Sequence, residues 1–181
     1  MIALLPLAVV PLALPESAFE RIARLDADLR ADPSATAVLG RWCAALKLAD
    51  PPTVVAVVDR GAAVAPDAAT RARLGVGAAE PVVYRRVRLT CGGVTLSEAE
   101  NWYVPSRLTP AMNAALTGDT PFGTVIKPLK PTRRTLAVER LWDGQGAVPQ
   151  AVLRHNALVI GGDGRALAEV RETYQRGLVA P

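Results

Sequence analysis

Hydrophobic spacing changes character several times along the chain. Ile2 to Leu14 is an apolar run without charge, and beyond Pro15 the period becomes helical, with Phe19, Ile22, Leu25 and Leu29 three or four apart and charged residues between them. Asp32-Pro33-Ser34 is a stop and restart, because Pro suits the first turn of a helix and Ser or Asp caps its free amides. Val38, Leu39, Trp42, Ala45 and Leu46 then form the stripe of a second helix, which Pro51-Pro52 closes.

Strands dominate from Thr53 onward. Thr53 to Val58 is β-branched, a short helical or looped insert occupies Pro66 to Leu74, and the next strand covers Val82 to Thr90. Gly92-Gly93 predicts a tight hairpin, since two glycines accept the positive φ angles of a primed turn. The returning strand runs from Thr95 to Val104, and Thr109-Pro110 opens a short helix through Leu116. A strand near Thr132 to Trp142 precedes a last hairpin, Ala151 to Ile160 and Arg165 to Tyr174, turned by Gly161-Gly162-Asp163-Gly164. Consecutive strands with tight turns predict an α+β fold: one antiparallel sheet with the helices gathered on one side.

Composition bounds what such a domain can do. The chain has 181 residues, half of them hydrophobic, enough for one core without a metal or disulfide staple. Two cysteines and a single histidine exclude zinc fingers, Cys₄ iron–sulfur clusters and His-rich metal sites, so no metal is expected. The net charge of +4 suits anionic partners. Its densest basic stretch, Lys127 to Arg134, has no interleaved aromatic residue for base stacking, so nucleic acid is not the expected partner. Ile2 to Leu14 is too short for a bilayer and is broken by Pro6 and Pro11, so no membrane span is expected. It reads equally as the remnant of an export signal or as an arm packed on the domain, which divides the chain into a segment 1–15 and one domain 16–181. In an exported protein Cys43 and Cys91 can pair; in the cytosol they stay reduced.

Two strands carry candidate chemistry. With a two-residue turn at Gly92-Gly93, Arg86 lies opposite Ala99, Tyr84 opposite Asn101 and Arg88 opposite Ser97, while Arg85 faces Glu100 and Leu89 faces Leu96. In that register Arg85 is compensated and Arg86 is left free to take a carboxylate, unless the face is simply solvated. Glu98 and Glu100 are then expected on the side of Arg85. On the final strand Ala166, Ala168, Val170, Glu172 and Tyr174 share a face. A carboxyl group at Glu172 among Ala and Val is desolvated and suited to proton handling, unless it reaches water at the chain end. The final Gly-rich turn lacks the helix and Lys-Ser/Thr of a phosphate cradle, and His155 reads as a satisfied sheet histidine because the chain holds no Gly-x-Ser-x-Gly elbow.

The order of Tyr84 to Gly93, Tyr103-Val104-Pro105, Thr120-Pro121-Phe122-Gly123 and Glu172-Thr173-Tyr174, with Ser34-Ala35-Thr36 before them, resembles the chorismate lyase family and the UTRA ligand-binding domains that share its fold. The resemblance implies release of pyruvate from chorismate to leave 4-hydroxybenzoate, with no metal or organic cofactor. It places carboxylate binding at Arg86, proton handling at Glu172, and pocket lining at Phe122, Arg134 and Ala35. Asn101 falls where the family has a second arginine, and losing such a charged contact costs about 1.5 to 3 kcal/mol. A small carboxylate or aromatic acid is the expected ligand, turned over by a cytoplasmic lyase or held by a binding protein of the same fold. Export would favour the second.

Overall fold

The computed structural model of the protein describes residues 16–180. The run Ile2 to Leu14, and with it the choice between export signal and arm, lies outside the described residues.

Two helices lead the domain. Helix α1 (Ala18–Ala31) starts at a capping box in which the Ser17 side chain accepts from the Glu20 amide while Glu20 accepts from the Ser17 amide, and it buries Ile22, Leu25 and Leu29. Helix α2 (Ala35–Ala45) is capped by Ser34 and buries Val38, Leu39 and Trp42. Strand β1 (Val55–Asp59), the short helix α3 (Ala68–Leu74), strands β2 (Val83–Cys91) and β3 (Val94–Tyr103), helices α4 (Pro110–Ala115) and α5 (Phe122–Val125), and strands β4 (Thr132–Arg140), β5 (Ala151–Ile160) and β6 (Ala166–Gln175) follow. The six strands form one antiparallel sheet in the order β1-β2-β3-β6-β5-β4.

The helices are gathered against one face of that sheet, called inner below. Under α1 and α2 the core holds Val87, Leu89, Ala99, Leu153 and Tyr174, and under α4 and α5 it holds Tyr103, Phe122, Val159 and Val170. Of the helices only α3 covers a corner of the outer face, where Leu74 meets Trp102, Val104 and Leu158. The β2–β3 turn is tied both to α2 and to the segment that follows it. Gly92 and Gly93 take φ of 56° and 81°, and a Cβ at Gly92 would collide with the Leu48 carbonyl, so only glycine permits this approach. Beside it Cys43 and Cys91 are joined as a disulfide.

Bulges decide which side chains face the core. Between β2 and β3 the register passes from Leu89–Ser97 to Thr90–Thr95, leaving Leu96 as an extra residue on β3. Every pair beyond it is shifted by one from the simple hairpin count: Arg85 opposes Asn101, Arg86 opposes Glu100, Val87 opposes Ala99 and Arg88 opposes Glu98. The register expected from the sequence is therefore corrected, and Glu98 and Glu100 lie on the side of Arg86, not of Arg85. Similar one-residue shifts leave Leu136 extra on β4 and Leu167 extra on β6. From Ala168 to Tyr174 the alternation is the expected one, with Val170, Glu172 and Tyr174 turned inward.

Candidate functional site

Adjacent arginines are sorted to opposite faces of the sheet. In β2, Arg85 shares the inner face with Val87 and Leu89 and is only 5% exposed, whereas Arg86 faces outward. The Arg86 side chain is 46% exposed and its nearest carboxylate, Glu98, stands 3.5 Å away. Arg86 and Glu172 thus lie on opposite surfaces, because Glu172 pairs with Ala99 and Ala99 pairs with Val87. The sequence reading of Arg86 as the anchor inside the pocket is corrected on this geometry. Arg134 is corrected likewise: it turns outward beside Leu158, near Arg73 and Arg107, and has no part in the inner face.

Arg133 holds the inward position on β4. Its Nη2 donates to Glu172 Oε2 over 2.6 Å, and the two side chains are only 5% and 9% exposed. The Tyr174 hydroxyl donates to the same carboxylate oxygen over 2.9 Å. Glu172 is therefore buried as the alternation predicts, but it meets a guanidinium and a phenol rather than bare apolar surface. Burial works most strongly against the Arg133 charge, but the fields of Glu172 and Tyr174 and the hydrogen bond to Glu172 together outweigh it, so the guanidinium pKa lies above its ordinary value. Burial, reinforced by the Glu172 carboxylate, pushes the Tyr174 hydroxyl well above the usual range, so it remains a donor.

Arg133 and Glu172 border a chamber of about 40 Å³, lined also by Ala35, Asn101 and Phe122 together with Val87 and its apolar neighbours. Four of the residues picked out from the sequence, Ala35, Asn101, Phe122 and Glu172, are brought together there. Asn101 is buried and donates weakly, over 3.4 Å, to the Arg85 carbonyl oxygen. Phe122 is presented by α5, the turn that follows Thr120-Pro121, and tilts against Tyr103 with ring centroids 5.9 Å apart.

Charge on the inner face is unbalanced. Arg85 gives its Nη2 to the carbonyl oxygens of Gly118 and Thr120, at 2.9 and 3.0 Å, and its Nε and Nη1 are buried without a partner. Arg133 Nε is also buried without a partner. Burial, eased slightly by Tyr103, lowers the Arg85 pKa. Among the described residues Glu172 is the enclosed carboxylate turned to the inner face, and it pairs with Arg133, which leaves Arg85 with carbonyl oxygens alone, since Asp26 is engaged by Arg30 and His155. Buried donors left unmade are costly, and an anion is the natural group to complete them.

His155 stands behind the ion pair. It is fully buried, its Nε2 lies 2.9 Å from Asp26 Oδ1, and it packs edge-on against Tyr174. Burial first, then the field of Arg133, lowers its pKa below the ordinary 6.5, against smaller opposing effects of Asp26 and Glu172. Among the described residues no three His, Cys, Asp or Glu side chains are grouped so as to hold a metal ion, and no helix is long and apolar enough to cross a membrane.

Sequence reasoning missed Arg85 and Arg133, although one signal for Arg85 was present. Val87 and Leu89 are the apolar members of β2, and strict alternation carries Arg85, not Arg86, onto their face. For Arg133 the alternation misleads. Counting back from Val138 in twos points Arg134 inward, and only the extra Leu136 reverses it.

One antiparallel sheet, covered on one face by helices around a small charged chamber, defines a UTRA-like domain. Its backbone is similar to PhnF from Mycobacterium smegmatis, with a TM-score of 0.51 and 18% identity over 68% of this chain. The chain spans 58% of the length of that protein. A transcriptional regulator of the GntR family from Bacillus cereus is similar at a TM-score of 0.46 and 13% identity, covering 67% of this chain and 91% of that one. No family model matches the sequence. It is 38% identical over 174 residues to the uncharacterized protein y4mC of Sinorhizobium fredii, covering 86% of this chain and 73% of that protein. The chain belongs to the family of y4mC. The likeness to PhnF shows a UTRA-like fold and the identity to y4mC shows that kinship; neither shows membership of the chorismate lyases.

Proposed function

We propose that this domain is a binding module for a small organic anion, held by the inner chamber rather than transformed in it. The observation that carries the reading is Arg133: a buried guanidinium, held by Glu172, that lines the small inner-face chamber. A carboxylate on the ligand would take a charge-assisted bond from that guanidinium, and Asn101 would add a neutral one. Apolar walls at Phe122 and Val87 exclude water and strengthen both interactions. Glu172 in this reading orients Arg133, with Tyr174 holding the carboxylate from the other side.

A titration of small acids tests it. Acetate, benzoate and 4-hydroxybenzoate are screened by calorimetry and thermal melting, and at least one is expected to bind and raise the melting temperature, by about 2.7 kcal/mol of stability at 100 times its Kd. The double variant Arg133→Met with Glu172→Leu removes both buried charges at once, which such sites often tolerate, and is expected to fold and lose the binding. Binding that survives in the folded double variant would remove Arg133 from the site.

A second reading keeps the same residues as a lyase. What favours it is that the Glu172 carboxylate lines the chamber, where a carboxyl group can meet a bound substrate, with the Tyr174 hydroxyl held against it from behind. Incubation with chorismate discriminates: pyruvate release that depends on Glu172 supports turnover, and none is expected from a binding module.

A further inference from the structure

Four arginines meet at the corner of the outer face that α3 covers. Arg73 comes from the last turn of α3, Arg107 from the turn Pro105–Arg107 after β3, Arg134 from β4, and Arg165 immediately precedes β6. Together they line a depression of about 420 Å³, within the range that ordinary small-molecule ligands fill. Leu158 and Ile160 of β5 line it too, and no carboxylate does. Arg134 reaches this side only because the extra Leu136 turns its strand over.

The carboxylates that hold these arginines stand behind them. Glu169 takes Arg73 through two bonds of 2.7 Å, and Asp163 takes Arg165 over 2.7 Å. Arg107 is spent on neutral groups instead. Its side chain is only 9% exposed, and its nitrogens donate to the carbonyl oxygens of Leu74, Gly75 and Ala166. Its nearest carboxylate, Glu80, is 4.0 Å away and accepts from the Ser106 hydroxyl. Arg134 has neither a hydrogen bond nor an ion pair from its side chain among the described residues, and it is exposed. Two of the four positive charges, on Arg107 and Arg134, are thus left without a carboxylate in hydrogen-bond reach. A phosphate monoester carries nearly two negative charges at neutral pH and three acceptor oxygens, which matches that excess and lets several guanidinium groups share it.

We propose that this corner is a second anion site, for a dianionic phosphate group, either free phosphate or the head of a small monoester whose body rests on Leu158 and Ile160. Arg107 supplies a fixed buried charge, Arg73 and Arg165 are held in place by their carboxylates, and Arg134 closes on the ligand. The site lies across the sheet from the chamber, shares no residue with it, and does not depend on the acid-binding reading.

Calorimetry on the full chain at low ionic strength, with inorganic phosphate, phenyl phosphate and dimethyl phosphate as probes, tests it. Inorganic phosphate is expected to bind, and the monoanionic diester to bind at least tenfold more weakly. Arg134→Ala is expected to weaken phosphate at least tenfold, the size of one charge-assisted contact. Arg86→Ala removes the same charge from elsewhere on this face and is expected to change nothing. Phenyl phosphate tighter than phosphate assigns the occupant to a monoester; equal binding assigns it to free phosphate. No phosphate binding, equal losses in Arg134→Ala and Arg86→Ala, or a diester as tight as phosphate would each overturn the site. So would phosphate binding that ignores Arg134 and disappears in the Arg133 and Glu172 double variant, since that anion would sit in the chamber. Failure of the small acids to bind at Arg133 would remove the chamber reading and leave this site standing.

Discussion

The two faces of the sheet present the same chemistry under opposite conditions. Inside, Arg133 and Glu172 meet at 2.6 Å with less than a tenth of either side chain exposed. Outside, Arg86 and Glu98 stand 3.5 Å apart with nearly half of each in water. Water screens the outer pair and leaves its energy small, while the inner pair is committed: neither charge can lose its partner without remaining desolvated. Burial therefore separates a site from a solvated surface here, since both faces carry arginine beside glutamate.

The strongest test breaks the inner pair on one side only. Glu172→Ala leaves Arg133 charged and buried, and is expected to cost about 3–5 kcal/mol of stability in denaturant melts. The double variant Arg133→Met with Glu172→Leu is expected to recover most of that loss. A double variant no more stable than Glu172→Ala would mean that packing, not uncompensated charge, sets the cost.

Next comes the tie between the inner-face helices and the sheet. Cys43 and Cys91 enclose 48 positions of chain, and by the chain-entropy relation their link is worth about 4 kcal/mol, with about 2–4 typical of measured cases. Replacing both by alanine is expected to lower stability by that amount and to loosen α2, whose first turn walls the chamber. Denaturant melts of the double alanine variant, set beside the oxidised and reduced parent, measure it; equal stability of all three would show that Gly92 against Leu48 already fixes the contact.

Most of the fold was legible because its periods are clean. The capping at Ser17 and Ser34, the Gly92-Gly93 turn and the strand alternations each follow from local chemistry. The chamber was half legible. Glu172, Asn101, Phe122 and Ala35 come together as read, but Leu96 and Leu136 each insert one residue into a ladder, and one residue is enough to turn a strand's side chains over. Both bulged residues are ordinary leucines with no glycine or proline to mark them. The extra Leu96 is what made Arg86 look uncompensated, since it sets Glu100 and Glu98 on the side of Arg86, while Arg134 was placed by the family resemblance and turns outward here.

Acid should weaken the inner face selectively. Folding lowers the pKa of His155, so the native state holds fewer protons on it than the unfolded chain does, and its stabilising contribution is complete above pH 6.5. That contribution is lost as pH falls from 6.5 through the folded value, with a slope of at most about 1.4 kcal/mol per pH unit for one proton. The groups that face the ring are Asp26 from α1, Arg133 from β4, and Glu172 and Tyr174 from β6. Urea melts between pH 7.5 and 5.5 are expected to show the slope in the parent and a flatter line in His155→Gln; parallel lines would remove His155 from the response.

The smallest expected effect is the sharpest check on which face matters. Arg86→Ala removes an exposed guanidinium whose partner Glu98 is equally wet, so the loss of stability should be below about 1 kcal/mol and should shrink further in salt. Acid binding should not change at all, because the sheet itself stands between Arg86 and the chamber. Arg85→Ala, one position away, removes the donor to the Gly118 and Thr120 carbonyl oxygens and so the brace on the turn that presents Phe122. That variant should weaken both stability and binding. If Arg86→Ala instead proved the more damaging of the two, the acid would belong to the outer face, and the assignment of acid binding to the inner face would have to be reversed.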